Sequence, residues 1–157
     1  RAESGPAGPE SIGSTPVEDY VKLQIPAKAE YVSLGRLALA GLLRSCGGYS
    51  DDAVADLKLA LTEACSNSVR HAYDHDDGKV HLEFTVHADR VTLLIRDEGG
   101  GFHEEDDDCA DCGSIPEIHL ADGGMGISII RAVVDGFDLH RPAEGGTVLV
   151  LTKKRDC

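Results

Sequence analysis

The chain of 157 residues contains no tryptophan and one methionine, and aromatic residues make up only 4% of it. Its core must therefore be filled mainly by Leu, Val, Ile and Ala. No apolar run reaches the roughly 18 residues that a membrane-spanning helix requires, which argues against a membrane protein. The first fifteen residues contain no apolar stretch, so they do not have the pattern of a signal peptide.

Positive charge is also scarce. Fifteen Lys and Arg residues stand against 28 Asp and Glu residues, for a formal net charge of −13. Nucleic-acid backbones require a basic surface, so we expect no direct contact with nucleic acid. Five cysteines, an odd number at irregular positions, do not form the pattern of a disulfide framework and favour a reducing, cytoplasmic environment.

The length and composition are those of one globular domain, with 41% hydrophobic and 27% charged residues. Residues 1–18 are rich in Gly, Pro, Ser and Glu, and we predict that they form a flexible tail. The domain would then occupy residues 19–157. Its acidic, glycine-containing stretch 98–122 is predicted to be a lid, because loops of this length without structure are usually functional or mobile.

Alternation and helical periodicity predict the order strand, helix, helix, strand, strand, lid, helix, strand, strand. The strands are expected at about 20–25, 80–86, 91–97, 137–140 and 146–153, and the helices at about 29–46, 50–73 and 124–134. This order predicts an α+β fold, a two-layer α/β sandwich in which about three helices cover one face of a mixed, mainly antiparallel sheet.

Helical periodicity counts Leu37 among the apolar positions of the first helix and places Ser68 on the apolar side of the second, with Leu61 and Ala64. Ser50 is predicted to be the N-cap of the second helix.

The second predicted helix also has a polar side on which two residues are spaced by about one turn. Glu63 and Asn67 are four residues apart, so they project as neighbours from one face. An amide oxygen suits Mg²⁺, and a nearby carboxylate can orient or deprotonate a hydroxyl. A solvated polar face would have the same pattern, and the spacing does not distinguish the two interpretations.

Three further sites combine glycine with a polar residue. Asp97 shares a strand phase with apolar residues, so its carboxylate needs a donor, either an adenine amine or an internal group. The glycines after it would admit a ligand close to the backbone, although turns have the same composition. Gly123, Gly124 and Gly126 open a helix and would either hold phosphate or form a hinge. Thr147 places a hydroxyl among apolar groups, as ordinary hairpins also do.

The order of these sites resembles the conserved boxes of the GHKL ATPase superfamily. Residues 63–73 are similar to the N box, 97–102 to the G1 box, 123–127 to the G2 box, and 146–147 to the closing strand motif. Within the superfamily, the short length, the His-Ala-Tyr after the N box and the Gly-Gly-Met-Gly-Ile of the G2 box resemble the anti-sigma-factor serine/threonine kinases. The resemblance covers about residues 20–154 and implies the histidine-kinase-like ATPase fold and ATP binding.

The resemblance also implies a role for each matching residue. Glu63 would be the general base that activates the acceptor serine, and Asn67 would coordinate Mg²⁺. Asp97 would accept a hydrogen bond from the adenine amine. The other nucleotide-binding positions that it implies are Arg70, His71, Gly99, Gly101, Gly123, Gly124, Met125, Gly126 and Thr147.

The implied function is that of an ATP-dependent kinase that sequesters a sigma factor and phosphorylates a serine of an anti-sigma-factor antagonist. Members of the family are usually homodimers, with the first strand and first helix at the interface. An ATP-binding anti-sigma adaptor with slow or absent phosphoryl transfer is the alternative. The ATP-binding half of a sensor histidine kinase is a third, which the lack of a His-bearing helical hairpin ahead of the domain disfavours.

The predicted lid departs from the family pattern. Cys109 and Cys112 form a CxxC motif with His103 and His119 on either side, so the four could ligate zinc, or the two thiols could form a redox pair. Because the histidines are loosely spaced, we favour an acidic, solvated lid with incidental thiols.

Overall fold

The computed structural model describes residues 16–71, 78–98 and 126–156. The elements in chain order are strand β1 (Val17–Pro26), a short 3₁₀ helix (Ala29–Tyr31), helices α1 (Val32–Cys46) and α2 (Asp51–His71), strands β2 (Lys79–His87) and β3 (Arg90–Asp97), helix α3 (Gly126–Val133), and strands β4 (Gly136–His140) and β5 (Thr147–Lys154). The order and type of these elements agree with the prediction. Apart from Glu98, the predicted lid lies outside the described residues.

The five strands form one sheet in the order β1-β2-β3-β5-β4. Every pairing between the described strands is antiparallel. The expectation of a mixed sheet was therefore wrong, although the α+β sandwich itself is confirmed. The direction of β1 and β5 depends on how the chain returns to the sheet after a helix, and the alternation within a strand carries no information on that.

The helices pack on one face of the sheet and enclose an aliphatic core around Phe84. The largest fully buried side chains in that core come from all three helices and from β2, β3 and β5: Leu39, Leu43, Leu57, Leu61, Val80, Leu82, Phe84, Val86, Val91, Leu93, Ile130 and Leu151. The alternation predicted for β2 and β3 is confirmed. Leu37, which the periodicity placed among the apolar positions of the first helix, is instead 69% exposed.

Strand β1 begins at Val17, three residues earlier than predicted. Glu18 accepts a hydrogen bond of 3.1 Å from the guanidinium of Arg155. The last two residues of the predicted tail therefore belong to the sheet. Residues 1–15 lie outside the described part of the chain.

Local signals set the start of α2. Helix α1 ends at Gly47 and Gly48, whose φ angles of +73° and +82° lie in the left-handed region that favours glycine. The Oγ of Ser50 then accepts a hydrogen bond of 3.1 Å from the backbone N–H of Ala53, so Ser50 caps α2 as predicted. The acidic residues that follow lie at the positive end of the helix dipole.

Two C-terminal residues, Arg155 and Asp156, fasten this start of α2 to the end of α1, and we call them the C-terminal clamp. The guanidinium of Arg155 donates to the carbonyl oxygens of Cys46 and Gly47, each at 3.1 Å, and to two carbonyls of the β2–β3 turn. The carboxylate of Asp156 accepts a hydrogen bond of 2.7 Å from the backbone N–H of Ser50. The loop between α1 and α2 is thereby held by side chains more than a hundred residues away.

Helix α3 is tied at its C-terminal end by Lys153 of β5. The ammonium of Lys153 donates to the carbonyl oxygen of Val133 at 2.8 Å and lies 3.6 Å from the carboxylate of Asp56 on α2. The positive charge of Lys153 also interacts favourably with the negative end of the α3 helix dipole. One largely buried lysine thus links β5, α3 and α2.

Candidate functional site

The C-terminal half of α2 brings Glu63 and Asn67 together beneath the first residue of α3. Glu63 is half-buried and Asn67 is only 8% exposed, so the two do not form a solvated polar face. A Cβ built on Gly126 would lie 3.3 Å from Oε2 of Glu63 and 3.4 Å from Nδ2 of Asn67. Glycine at the start of α3 therefore lets this helix approach both polar side chains.

The amide oxygen of Asn67 is buried and has no hydrogen-bond partner within the described ranges. Leaving a buried acceptor unsatisfied costs about 1–3 kcal/mol, so such a group in a folded protein calls for an explanation. An amide oxygen is a hard ligand of the kind that Mg²⁺ prefers. The side chain present here fits the predicted metal role.

Asp97, the last residue of β3, is 6% exposed, which confirms that its side chain is directed inwards. Ser68 of α2 donates a hydrogen bond from Oγ to Oδ2 of Asp97 at 3.0 Å. An internal donor therefore supports this carboxylate, which is one of the two alternatives that the sequence left open. The sheet register pairs Asp97 with Val80 on one side and with Thr147 on the other.

Gly146 brings the start of β5 against Asp97. Its φ is +84°, and a Cβ at this position would collide with the backbone oxygen of Asp97. Only glycine fits such an approach without strain. Thr147, which is buried, is consequently held directly beside Asp97 in the sheet.

The described part of the predicted site is therefore contiguous. Asn67 and its neighbour Ser68 connect the Glu63–Gly126 side to the Asp97–Thr147 side. Arg70 is exposed one turn after Asn67, and His71 is the last residue of α2. The remaining predicted positions lie outside the described residues: Gly99, Gly101, Gly123, Gly124 and Met125, together with His103, Cys109, Cys112 and His119 of the lid.

Sequence reasoning missed two polar residues of this region. Ser68 falls in the helical period of Leu61 and Ala64, so its position was assigned to the apolar face. His81 is 8% exposed, and its Nε2 lies 3.0 Å from Oε1 of Glu98. Its phase in β2 is opposite to that of the core residues, so the alternation gave no reason to expect burial. Only the register between β2 and β3 brings His81 near the end of β3.

The two cysteines in the described ranges are poor nucleophiles. Burial raises the pKa of the Cys65 thiol to about 12 and contributes most to raising that of Cys46 to about 11. Both are therefore protonated at neutral pH. In the same ranges, no group of three or more His, Cys, Asp or Glu side chains could hold a metal ion, and no helix is long and apolar enough to cross a membrane.

The geometry can be compared with known proteins. A family model described as the histidine kinase-like ATPase domain matches residues 25–153, most of the chain. The chain belongs to this family.

Curated members of the family narrow the assignment. The serine-protein kinase RsbW of Bacillus pumilus is 37% identical over 142 residues, which cover 86% of this chain and 85% of the relative. RsbW of Bacillus subtilis is 36% identical over 140 residues, with the same coverage, and RsbW of Listeria monocytogenes serotype 4a is 36% identical over 142 residues. Within the histidine kinase-like ATPase family, the chain therefore belongs with the RsbW proteins.

A solved structure shows the same fold. The crystal structure of the RsbU and RsbW domains of Rv1364c from Mycobacterium tuberculosis matches with a TM-score of 0.64 at 18% identity. The match covers 87% of this chain, which spans about a third (32%) of that longer protein. It agrees with the α+β sandwich described above.

Proposed function

We propose that this protein is an ATP-dependent serine kinase that sequesters a sigma factor and phosphorylates a serine of an anti-sigma-factor antagonist. The observation that carries the proposal is the placement of Glu63 beside Asn67, with the amide oxygen of Asn67 buried and unsatisfied under Gly126. The RsbW relatives, which are named serine-protein kinases and match over most of their length, support a protein serine as the acceptor.

The adenine would bind at the Asp97 end of the site. A carboxylate accepts hydrogen bonds, so it suits the exocyclic amine of adenine and disfavours a purine with a carbonyl in that place. Thr147 lies next to Asp97 and would join the same hydrogen-bond network. Gly99 and Gly101 would let the chain pass close to the base.

The phosphates would lie between α2 and the start of α3. Asn67 would hold Mg²⁺ through its amide oxygen, and phosphate oxygens and water would supply the remaining ligands. When bound, the metal neutralises charge on the phosphates. Backbone amides of the stretch Gly123, Gly124, Met125 and Gly126 would contact the phosphates at the positive end of α3. Arg70 and His71, which follow Asn67, would lie near the phosphates or the acceptor.

Glu63 would act on the acceptor hydroxyl. Its carboxylate lies one helical turn before Asn67 and faces the same glycine. It would orient the serine hydroxyl and take its proton as the bond from the serine oxygen to the γ-phosphorus forms and the bond to ADP breaks. Glu63 would thus act on the acceptor serine, and Asn67 would hold the metal at the phosphates.

We also propose that the protein forms a homodimer through β1 and α1. Tyr20 of β1 is 52% exposed, and Leu34 and Leu37 of α1 are 51% and 69% exposed. Strand β1 lies at the edge of the sheet. Large apolar side chains that are this exposed are of the kind that protein interfaces cover. Because a sigma factor acts in the cytoplasm, the proposal places the protein there.

A charge introduced into this surface tests the dimer. Leu37→Glu should shift the protein from dimer to monomer in analytical ultracentrifugation, because the carboxylate would have to be desolvated at the interface. Leu59→Glu, a substitution at another exposed leucine (42% exposed) on α2, is the matched control and should leave the mass unchanged. A wild-type protein that sediments as a monomer at micromolar concentration contradicts the dimer.

Calorimetry with Mg²⁺-ATP tests the nucleotide site. Wild type should bind, Asn67→Ala should lose the Mg²⁺-dependent part of the affinity, and Glu63→Ala should still bind but fail to phosphorylate a candidate antagonist. A wild-type protein that binds no nucleotide with any divalent metal would overturn the proposal. Binding without phosphorylation of any antagonist would instead favour the adaptor over the kinase.

A further inference from the structure

A hydrogen bond joins helix α2 to the end of β3 at the proposed base-binding site. It runs from Oγ of Ser68 to Oδ2 of Asp97 at 3.0 Å, and both residues are buried, at 8% and 6% exposure. Ser68 directly follows Asn67. The residue after the proposed metal ligand is therefore also the residue that contacts the proposed base-reading carboxylate.

The surroundings of Ser68 argue that this hydroxyl has a specific use. Its neighbours in the helical period, Leu61 and Ala64, belong to the apolar core. A buried hydroxyl is costly unless it is hydrogen-bonded, and the carboxylate of Asp97 provides that bond. An alanine would suit the apolar face equally well, but it would leave Asp97 without this donor.

The hydrogen bond has two consequences for the carboxylate. It restricts rotation of the carboxylate group, because one oxygen is held against α2. Because the hydroxyl donates to Oδ2, the carboxylate serves as the acceptor in this pair, and a carboxylate has acceptors only. An acceptor-only carboxylate can pair with the amine at position 6 of adenine, but it cannot donate to the carbonyl at position 6 of hypoxanthine or guanine.

We propose that Ser68 is a positioning residue for base recognition, which orients Asp97 as an acceptor and thereby sets the preference of the site for adenine over 6-oxopurines. The inference rests on the proposed function, since it requires a nucleotide at this site. Ser68 acts through Asp97 and does not itself read the base.

Affinities for Mg²⁺-ATP and Mg²⁺-ITP, measured by calorimetry on the full chain, test this role. Wild type should prefer ATP. Ser68→Ala should bind ATP about tenfold more weakly and ITP with little change, so the ratio of the two affinities falls about tenfold. Asp97→Asn should narrow the ratio further, because the amide can donate to the carbonyl of hypoxanthine.

Two variants separate positioning from mere support of the fold. Ser66→Ala removes a hydroxyl about 200° around the same helix from Ser68 and should leave the ratio unchanged. Ser68→Cys keeps the size of the side chain with a much weaker donor, so it should narrow the ratio as alanine does, even if the alanine variant unfolds. Thermal unfolding of each variant reports its folding.

The outcomes distinguish the two proposals. Equal weakening of ATP and ITP by Ser68→Ala and Ser68→Cys, or no weakening of either, would overturn the role of Ser68 and leave the nucleotide site intact. A wild type that binds neither nucleotide would instead refute the proposed function. A wild type that binds both equally would refute base reading by Asp97.

Discussion

The two ends of helix α2 differ in how their polar groups are satisfied. At its start, the Ser50 hydroxyl, the Ser50 N–H and the carbonyls that end α1 are all hydrogen-bonded, largely by the C-terminal clamp. In its last turns, the amide oxygen of Asn67 is buried without a partner in the described ranges, and Glu63 faces a glycine. The start of α2 is thus held by side-chain hydrogen bonds, whereas its last turns present polar groups that a ligand could complete.

We infer that the start of α2 contributes mainly to stability and its end mainly to ligand binding and phosphoryl transfer. The hydrogen bonds that Ser50, Arg155 and Asp156 make at the start of α2 stabilise the folded state without any ligand. Polar groups left unsatisfied at the other end lower stability and become useful only when a ligand completes them. We therefore expect substitutions at the start of α2 to affect unfolding, and substitutions near its end to affect binding and transfer.

The largest expected effect is that of Glu63→Gln on phosphoryl transfer. Loss of the base should lower the rate of antagonist phosphorylation by about 10²–10⁴, while Mg²⁺-ATP affinity and the unfolding temperature stay close to wild type. Single-turnover transfer from labelled ATP provides the rate. Undiminished transfer in this variant would show that Glu63 is not the general base. The two ends of α2 would then not differ in function as we expect.

Arg155→Ala should have the largest effect on stability. Because its largely buried guanidinium donates to several carbonyls, we expect a loss of about 2–4 kcal/mol in the free energy of unfolding and a fall of about 5–15 °C in Tm. Nucleotide affinity measured well below Tm should be unchanged. Arg44→Ala, at an exposed arginine of α1, is the control and should change stability by less than about 0.5 kcal/mol.

Gly126→Ala is expected to have a smaller effect, on the polar pair in the last turns of α2. The new Cβ would crowd Oε2 of Glu63 and Nδ2 of Asn67, and we expect Mg²⁺-ATP affinity to fall about tenfold, since small displacements of positioned groups are costly. Gly41→Ala is the control, because a Cβ in that part of α1 meets nothing within 4 Å. It should stabilise the protein by about 0.5–1 kcal/mol and leave the affinity unchanged.

Asp156→Asn should have the smallest effect, and one that depends on pH. The backbone N–H of Ser50 lowers the pKa of Asp156 below its ordinary value of 3.8. The ionised carboxylate therefore stabilises the folded state above that pH, and this contribution is lost as the pH falls through the folded pKa. The difference in Tm between wild type and variant should be present at pH 7 and vanish at strongly acidic pH. A constant difference contradicts the assignment.

The features that the sequence predicted are those with local causes. The cap at Ser50 and the inward phase of Asp97 each follow from a few neighbouring residues, and the structure confirms both. The grouping of Glu63 with Asn67 follows from one helical turn. The early start of β1 at Val17 and the antiparallel direction of every pairing between the described strands depend instead on contacts between distant segments.

Longer-range features could not be inferred in this way. The partners of Arg155 lie in α1, in the β2–β3 turn and in β1, so no local pattern reveals them. Ser68 looked like a core position because helical periodicity reports which face a side chain occupies but not what it meets there. Leu37 was counted among apolar positions for the same reason, since the pattern does not say whether another surface covers it.

The hydrogen bond from Lys153 to Val133 holds the C-terminal end of α3, so a tilt of the helix about that end would move its first residue. The contact with Lys153 is at the C-terminal end of the helix, and a Cβ on Gly126 at the other end would lie within 3.4 Å of Glu63 and Asn67. Seven residues at 1.5 Å each give an arm of about 10 Å, so a tilt of about 10° would move Gly126 by almost 2 Å. Replacing Lys153 would therefore change the position of Gly126 relative to Glu63 and Asn67, although Lys153 lies at the opposite end of the helix.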